Sequence, residues 1–452
     1  MGRRQVVLLG LGSALGTGLF LGSGQSVAGA GPSVVLSFVA GTLIAAIVAF
    51  ALGELCGTHP VRGSFGTIAA RYLGPWAGFT VRWLYWLALV AATGGEVVAA
   101  AIYLRYWWPQ LPVWSAVVAL SLVLTGINTV DVGAFGRTEA ALSLIKVLAV
   151  VVFLVMGVAL IAVGLPGHPA TGLGNLTADG GFFPHGVGAI WVVMATVMFS
   201  FAGIELVAVA AAETRDPSRA MRSAIRSLIV RLGLFYIGAV AVMVTVLPWR
   251  RLAEATGLEQ SPFVTMFSYA GIGPAASVTN VVVFIAALSA ANANLYAAAR
   301  MVHSLAHDGF APRPLRATSA AGSPVPAVVV SLIGLVTAGI LAIYTPKSVF
   351  LVLISIASFG VIATWLFILA TFVAFRRARP PEAAVAATVR LPGGIATAVI
   401  GALALLSVYA TAAVAPDMAT ACLVGVPFLL LLGVTYRVIS SRRGRGAGSA
   451  PG

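Results

Sequence analysis

The sequence predicts an all-α polytopic membrane protein, and three observations carry that reading. Of 452 residues, 60% are apolar and only 9% are charged, with a mean hydropathy of +1.02. Soluble chains carry about 25% charged residues, so this one cannot clothe its apolar content in a water-facing surface. A bilayer core takes about 20 apolar residues per helix, and twelve such runs follow one another with no room between them for a water-soluble domain. The net charge of +14 would suit a nucleic-acid partner, yet the basic residues sit in short runs between apolar stretches, the pattern that membrane topology leaves. Cys56 and Cys422 lie far apart in apolar surroundings, which excludes a disulfide framework or a Cys-based metal site.

Taken in order, the spans cover roughly residues 5–29, 33–55, 77–104, 114–130, 140–164, 188–212, 229–247, 275–305, 325–344, 349–375, 395–415 and 418–439. Polar breakers separate them, among them HPVRGSFG after Thr58, LPGHPATGLGNLTADGG from Leu165 and ETRDPSRAMRSAIR from Glu213. The first run is too long and too Gly-rich for a cleaved signal peptide, and no A-x-A site follows it. With the N-terminus inside, 21 of the 27 basic residues fall on inner segments, only Arg105, Arg250, Arg251 and Lys347 fall on outer ones, and Arg82 and Lys146 lie within spans. A missed or extra span would scramble that alternation, so both termini are expected in the cytoplasm. Arg82, near the inner end of the third span, is placed to snorkel. Glu54 reads as a solvated or locally paired carboxylate at the inner interface.

Three charges have no surface to go to. Lys146 lies in LSLIKVLAV of the fifth span, where an ammonium near the bilayer centre costs about 2.5–3.5 kcal/mol. Either it snorkels from the inner end, or it faces the bundle interior as a base able to gain and lose a proton. Glu96 in ATGGEVVAA of the third span and Glu205 in FSFAGIELV of the sixth must face protein or a water-filled cavity. For Glu96, a protonated side chain that only bonds between helices is the competing structural reading.

Glycine is the other anomaly. Small residues let membrane helices pack closely, but GLGSALGTGLFLGSG from Gly10 to Gly24 is too dense for packing alone and predicts an interruption near Gly16, Thr17 and Gly18. The sixth span carries a weaker companion, FSFAG from Phe199 to Gly203. Interrupted backbone at membrane depth is tolerated only where it lines a cavity or is buried in protein, and paired interruptions in two halves point to a binding site between repeats. Spans one and six are five apart, which suggests two inverted five-helix repeats, residues 1–165 and 166–376. Two further spans would occupy 377–440, and a basic tail 441–452. Exposed N–H groups suit a carboxylate and freed carbonyls an ammonium, so a zwitterion is the natural ligand.

These residues also resemble the amino acid permeases of the amino acid, polyamine and organocation transporter superfamily, in particular its bacterial amino acid transporter branch. The resemblance spans nearly the whole chain and rests on GTGLFLGSG from Gly16, ALGELCGTHPVRGSF from Ala51, YLGPWAGF from Tyr72, FGRTEAALSLIKV from Phe135, FSFAGIELVAVAAAET from Phe199 and LSAANANLYAAARM from Leu288. It implies the LeuT-type inverted repeat with the first and sixth helices discontinuous, and proton-coupled uptake of amino acids across a prokaryotic plasma membrane. The implied partners are an amino acid, protons and the lipid bilayer, with no cofactor, nucleic acid or obligatory protein partner.

Carried over by position, Gly16, Thr17 and Gly18 resemble the family's carboxylate-binding loop. Phe199 is similar to its aromatic lid, and Ser200, Phe201 and Gly203 form the sixth-span backbone near the amino group. Lys146 resembles the lysine whose ammonium takes the place of a sodium ion near the Gly12 and Leu15 carbonyls and Ser289. Glu205 is similar to the family's sixth-helix acid, Glu96 to the branch's third-helix acid, and Asn292 sits in the branch's SAAN segment. Ser13 departs from the usual second Gly before the break, and ILATFVAFRR lacks the His that members often carry there.

The leading expectation is a symporter that links protonation of Lys146 or Glu205 to substrate binding; an amino acid or amine exchanger of the same fold is the alternative. A channel would more often show pore motifs related by rotation. An intramembrane enzyme would need a convergent catalytic set, which His59, His168, His185, His303 and His307 do not supply, and no metal site is expected. Small apolar residues near the level of Glu96, namely Ala91, Ala92, Thr93 and Gly94, favour a neutral side chain. Basic and aromatic amino acids and γ-aminobutyrate remain open.

Overall fold

A computed structural model describes residues 15–59, 61, 63–130, 132–164, 169–211, 225, 233–255, 261–269, 271–319, 322–346, 348–378 and 389–447. Among these residues every regular element is helical. A π-turn over Gly18–Gly22 leads into α1 (Ser23–Ala30), and α2 (Val34–Thr58) follows. Next come α3 (Ser64–Leu73), α4 (Pro75–Leu104), α5 (Val113–Val130) and α6 (Val132–Ala162). The sixth apolar run is in pieces, with α7 (Met194–Ser200) and α8 (Leu206–Ala211) separated by a turn. Then follow α9 (Gly238–Val246), α10 (Trp249–Ala255), α11 (Pro262–Tyr269) and α12 (Gly273–His307). The chain closes with α13 (Val325–Ser331), α14 (Ile333–Tyr344), α15 (Val349–Ala378), α16 (Gly394–Ala410) and α17 (Pro416–Ala447).

Seven helical stretches among the described residues are long and apolar enough to cross a membrane: Gly18–Thr58, Pro75–Leu104, Leu142–Ala162, Gly273–His307, Val325–Tyr344, Val349–Ala378 and Met418–Ser441. Three shorter apolar helices, Val113–Asn128, Gly233–Val246 and Gly394–Ala410, accompany them. The hydropathy scan did not predict α3, α10 and α11, because ten residues or fewer cannot fill a bilayer-length window. In α3 the helical stripe Phe65, Ile68 and Ala69 is buried while Arg71 is exposed, the spacing of an amphipathic helix.

Helix α4 is the post around which the others stand. Within its apolar window 89% is enclosed by protein, against 22% for Met418–Ser441, so α4 is surrounded by helices and α17 lies at the periphery. It packs on α3, α5, α12, α14 and α15. In hydrocarbon, helices gain little from hiding apolar surface and associate instead by close packing and interhelical hydrogen bonds. The sequence supplies both: a Cβ on Gly94 would lie 2.8 Å from the Gly334 carbonyl oxygen and 3.1 Å from Ala338 Cβ, so only hydrogen at this point lets α4 meet α14. The Trp86 indole N–H donates to Ser331 Oγ at 3.0 Å, tying α4 to α13.

Two charged residues differ from the sequence-based expectation. Arg82 does not snorkel: it is fully buried, donating from Nε to Gly78 O at 2.8 Å and from Nη1 to Ser304 Oγ at 2.8 Å, with Asp308 Oδ2 at 2.6 Å. The ion pair and hydrogen bonds replace water at Nε and Nη1. Glu54 is buried and its partners are remote in sequence, Arg376 Nη2 at 2.9 Å and the Leu391 N–H at 3.0 Å. It thereby fixes the end of α2 to α15. If small-residue contact holds α4 against α14, Gly94→Leu is expected to destabilise the protein by about 1–3 kcal/mol. A lowered thermal midpoint in detergent is the readout, and an unchanged midpoint contradicts the packing described.

Candidate functional site

The segment where the sequence predicts the first break is described from Leu15 onward, and there it is built from backbone. The chain bends at Leu15 and Gly16, and the N–H groups of Leu19 and Phe20 both reach the Gly16 carbonyl, at 3.2 and 3.3 Å. Donors in a first turn lack intrahelical partners. Here the Thr17 N–H is taken by the Glu96 carboxylate of α4, at 3.2 Å from Oε1 and 3.3 Å from Oε2. A Cβ on Gly16 would lie 2.6 Å from Glu96 Oε1, and one on Gly18 would lie 2.5 Å from Ser200 Cα. Glycine at 16 and 18 thus allows a carboxylate and a second piece of broken backbone to approach the first.

The second break follows α7. Helix stops at Ser200 and resumes at Leu206, with Gly203 at φ 101°, a conformation that side chains rarely adopt. The freed groups are paired. Glu205 Oε2 accepts the Gly203 N–H at 2.9 Å, and Oε1 accepts the indole N–H of Trp365 on α15. The Ser200 carbonyl accepts the Tyr236 hydroxyl at 2.8 Å, and the Tyr236 ring stacks on Phe201 with centroids 4.8 Å apart.

Between the breaks lies a cavity. Its walls are Gly16 and Gly18 from the first break; Tyr85, Ala88, Leu89, Ala92 and Glu96 from α4; Phe199, Ser200, Ala202 and Gly203 from the second break; Asn294 from α12; and Val361 from α15. Of the residues expected at a site from sequence, Gly16, Gly18, Glu96, Phe199, Ser200 and Gly203 share this wall. Thr17 is fully buried, with its N–H turned to Glu96. Phe201 packs away from the cavity, toward Tyr236 and Phe38.

Lys146 is fully buried on α6, off the cavity wall. Glu205 is also off the wall, behind the second break. Leu15 and Ser289 are buried, while Asn292 accepts from Asn128 of α5 at 2.6 Å. Gly12 lies outside the described residues.

Of the small residues expected near Glu96, only Ala92 lines the cavity. Thr93 turns its hydroxyl to Leu89 O at 2.7 Å, and Gly94 faces α14. The sequence reading missed Tyr85, Ala88 and Leu89, although the signal was there: with Ala92 and Glu96 they fall at i, i+3, i+4, i+7 and i+11, one face of α4. Asn294 and Val361 carried no comparable signal, because tertiary packing alone brings them to the wall. The chemistry offered is a small chamber between two sets of broken backbone, with one carboxylate on its wall. Among the described residues no group of three His, Cys, Asp or Glu could hold a metal ion.

The amino acid permease family matches residues 5–445. Similar proteins include the gamma-aminobutyric acid permease of Bacillus subtilis (strain 168), 38% identical over 80% of this chain and 76% of its own length. The aromatic amino acid transport protein AroP of Escherichia coli O6:H1 is 36% identical over 84% of this chain and 83% of its own. The L-asparagine permease of Salmonella typhimurium is 36% identical over 98% and 90%. With its apolar helices, and with the bend at Leu15 and Gly16 facing the break after α7, this chain belongs to the amino acid permease family, whose members are membrane transporters of amino acids and not enzymes.

Proposed function

We propose that the protein imports an amino acid with a neutral side chain together with a proton, across a prokaryotic plasma membrane, by alternating access. The architecture in this reading is twelve spans with both termini cytoplasmic. Residues 1–165 and 166–376 form a LeuT-type pair of inverted five-helix repeats, 377–440 two added spans and 441–452 a basic tail. The observation that carries the proposal is the Glu96 carboxylate on the Thr17 N–H, at the wall of the cavity. An amino acid whose carboxylate docks on the Gly16 to Gly18 backbone brings a second negative group against Glu96. Two carboxylates sharing one set of donors cannot both stay charged at low cost, so a proton is taken up with the substrate. Lys146, a base buried on α6, is the exchange partner for that proton in this reading.

The remaining roles follow. The protonated Lys146 holds the first, fifth and eighth spans together in the place of a coupling cation, near Leu15 and Ser289. Its deprotonation toward the inner side loosens them and favours release. Phe199 closes over the substrate, and Glu205 keeps the second break in register through Gly203 and Trp365. The apolar wall of Ala88, Leu89, Ala92 and Val361 favours a neutral side chain. The compounds named for the three relatives, γ-aminobutyric acid, aromatic amino acids and L-asparagine, keep the substrate within amino acids and their ω-amino analogues.

In proteoliposomes with an imposed pH gradient, Lys146→Ala is expected to abolish accumulation from a mixture of the twenty amino acids and γ-aminobutyrate, while the protein still reconstitutes. Undiminished accumulation in that variant contradicts proton coupling through Lys146. Gly18→Ala should lower the rate of uptake about a hundredfold, the scale of a misplacement of about 1 Å at a reacting or binding centre, because its Cβ meets the Ser200 backbone. Uptake at the parent rate would mean that the two breaks need not touch.

A further inference from the structure

One polar side chain on the cavity wall has no role in the coupling scheme and stands within reach of a small ligand. Asn294 of α12 lines the chamber, is 9% exposed, and its amide makes no hydrogen bond among the described residues. An asparagine amide carries two N–H donors and an acceptor oxygen, and buried groups of this kind are ordinarily paired. Other polar groups of the wall are engaged with the protein itself. Ser200 Oγ donates to Thr196 O at 3.3 Å, and the Glu96 carboxylate accepts the Thr17 N–H. Asn294 therefore offers the chamber a neutral donor and acceptor that the fold does not use.

The register of α12 against α4 fixes its height in the chamber. The two helices run antiparallel: Asn280 Nδ2 donates to Tyr103 O at 2.9 Å toward one end, and Arg82 Nη1 donates to Ser304 Oγ at 2.8 Å toward the other. Between these ties, a Cβ on Gly16 would lie 2.6 Å from Glu96 Oε1 and 3.4 Å from Ala290 Cβ, so Glu96 and Ala290 flank the Gly16 backbone at one level. Asn294 follows Ala290 by four residues, one helical turn or about 6 Å toward the Arg82 end. Its side chain leans back toward the start of α12, and so toward that level. Tyr85, eleven residues from Glu96, lies about 16 Å along α4 and is out of reach of a small ligand held at Gly16. In asparagine three bonds separate the carboxylate carbon from the side-chain amide carbon, a span of about 4 Å. A ligand whose carboxylate sits on the Gly16 to Gly18 backbone thus brings its first two side-chain carbons to the level of Asn294.

We infer that Asn294 is a specificity residue that hydrogen-bonds an uncharged polar group on the first or second side-chain carbon of the substrate, and that the preferred substrates are short polar amino acids such as asparagine and threonine. This rests on the transport reading above and deepens it. A side chain of the same shape without the polar group would leave the Asn294 amide open and so bind less well. The neutral amide supplies no charge for the ammonium of a lysine.

The test is binding of two ligand pairs of similar shape, asparagine with leucine and threonine with valine, to the purified full-length protein by titration calorimetry in detergent, for the parent and Asn294→Ala. Alanine suits this stretch of α12, where Ala291, Ala293, Ala297 and Ala298 are all buried. The space it opens acts on both members of a pair, so the ratio of their affinities isolates the hydrogen bond. The parent is expected to prefer asparagine to leucine and threonine to valine. Asn294→Ala should reduce each ratio about tenfold, the size of one neutral hydrogen bond. Three results overturn the inference while leaving transport in place: ratios unchanged in the variant, a parent that prefers leucine and valine, or a parent that binds other amino acids but none of these four. The last two are read on the parent alone, whether or not the variant folds. A parent that binds none of the twenty amino acids, nor γ-aminobutyrate, removes the transport reading itself.

Discussion

A backbone N–H at membrane depth must find a partner inside the protein, and the bond from Thr17 N–H to Glu96 meets that requirement just after the bend at Leu15 and Gly16. The rest of the site depends on it. Without an acceptor at Glu96 the break would have to close into helix or admit water. With it, Gly16 and Gly18 hold an open backbone against the second break, where Glu205, Trp365 and Tyr236 meet the same demand for Gly203 and Ser200. The polar groups at the two breaks are thus spent mainly on the protein's own backbone. In the proposed function, the substrate enters a chamber whose donors and acceptors are already arranged, so that little reorganisation is needed on binding.

The role of α4 follows from where Glu96 sits. A helix that presents a carboxylate to one break and a tyrosine to the far end of the chamber has to be immobile relative to both. Enclosure on nearly every side, the close passage of Gly94 by Gly334 and the Trp86 to Ser331 bond provide that. At one end of α4 the buried Arg82 joins it to Ser304 and Asp308 at the end of α12, and Glu54 joins α2 to α15 through Arg376. These ties bring together elements from distant parts of the sequence around the same chamber.

Much of this was legible in the sequence, for physical reasons that can be named. The helical architecture follows from hydropathy, and the breaks follow from glycines denser than packing needs. Glu96, Glu205 and Lys146 stood out because charge is scarce in a chain so apolar. What could not be read was partnership. Arg82 finds Ser304 222 positions away, and Glu54 finds Arg376 322 positions away, so the first looked like a snorkelling residue and the second like a surface acid. The short helices α3, α10 and α11 escaped a bilayer-length window. Asn292 was singled out by its motif, yet it bonds Asn128, and it is Asn294 two residues on that reaches the cavity. Tyr85 was hidden because an aromatic residue in an apolar helix looks like core until its hydroxyl is seen to lack a partner.

In the proposed coupling, the amino acid and the proton share one binding event at Glu96. It is tested most directly by following internal pH in proteoliposomes that contain no amino acid, when a mixture of the twenty amino acids and γ-aminobutyrate is added outside. The lumen is expected to acidify in step with uptake of amino acid. Uptake with no change in internal pH, or uptake seen only when the vesicles are preloaded with amino acid, would contradict it.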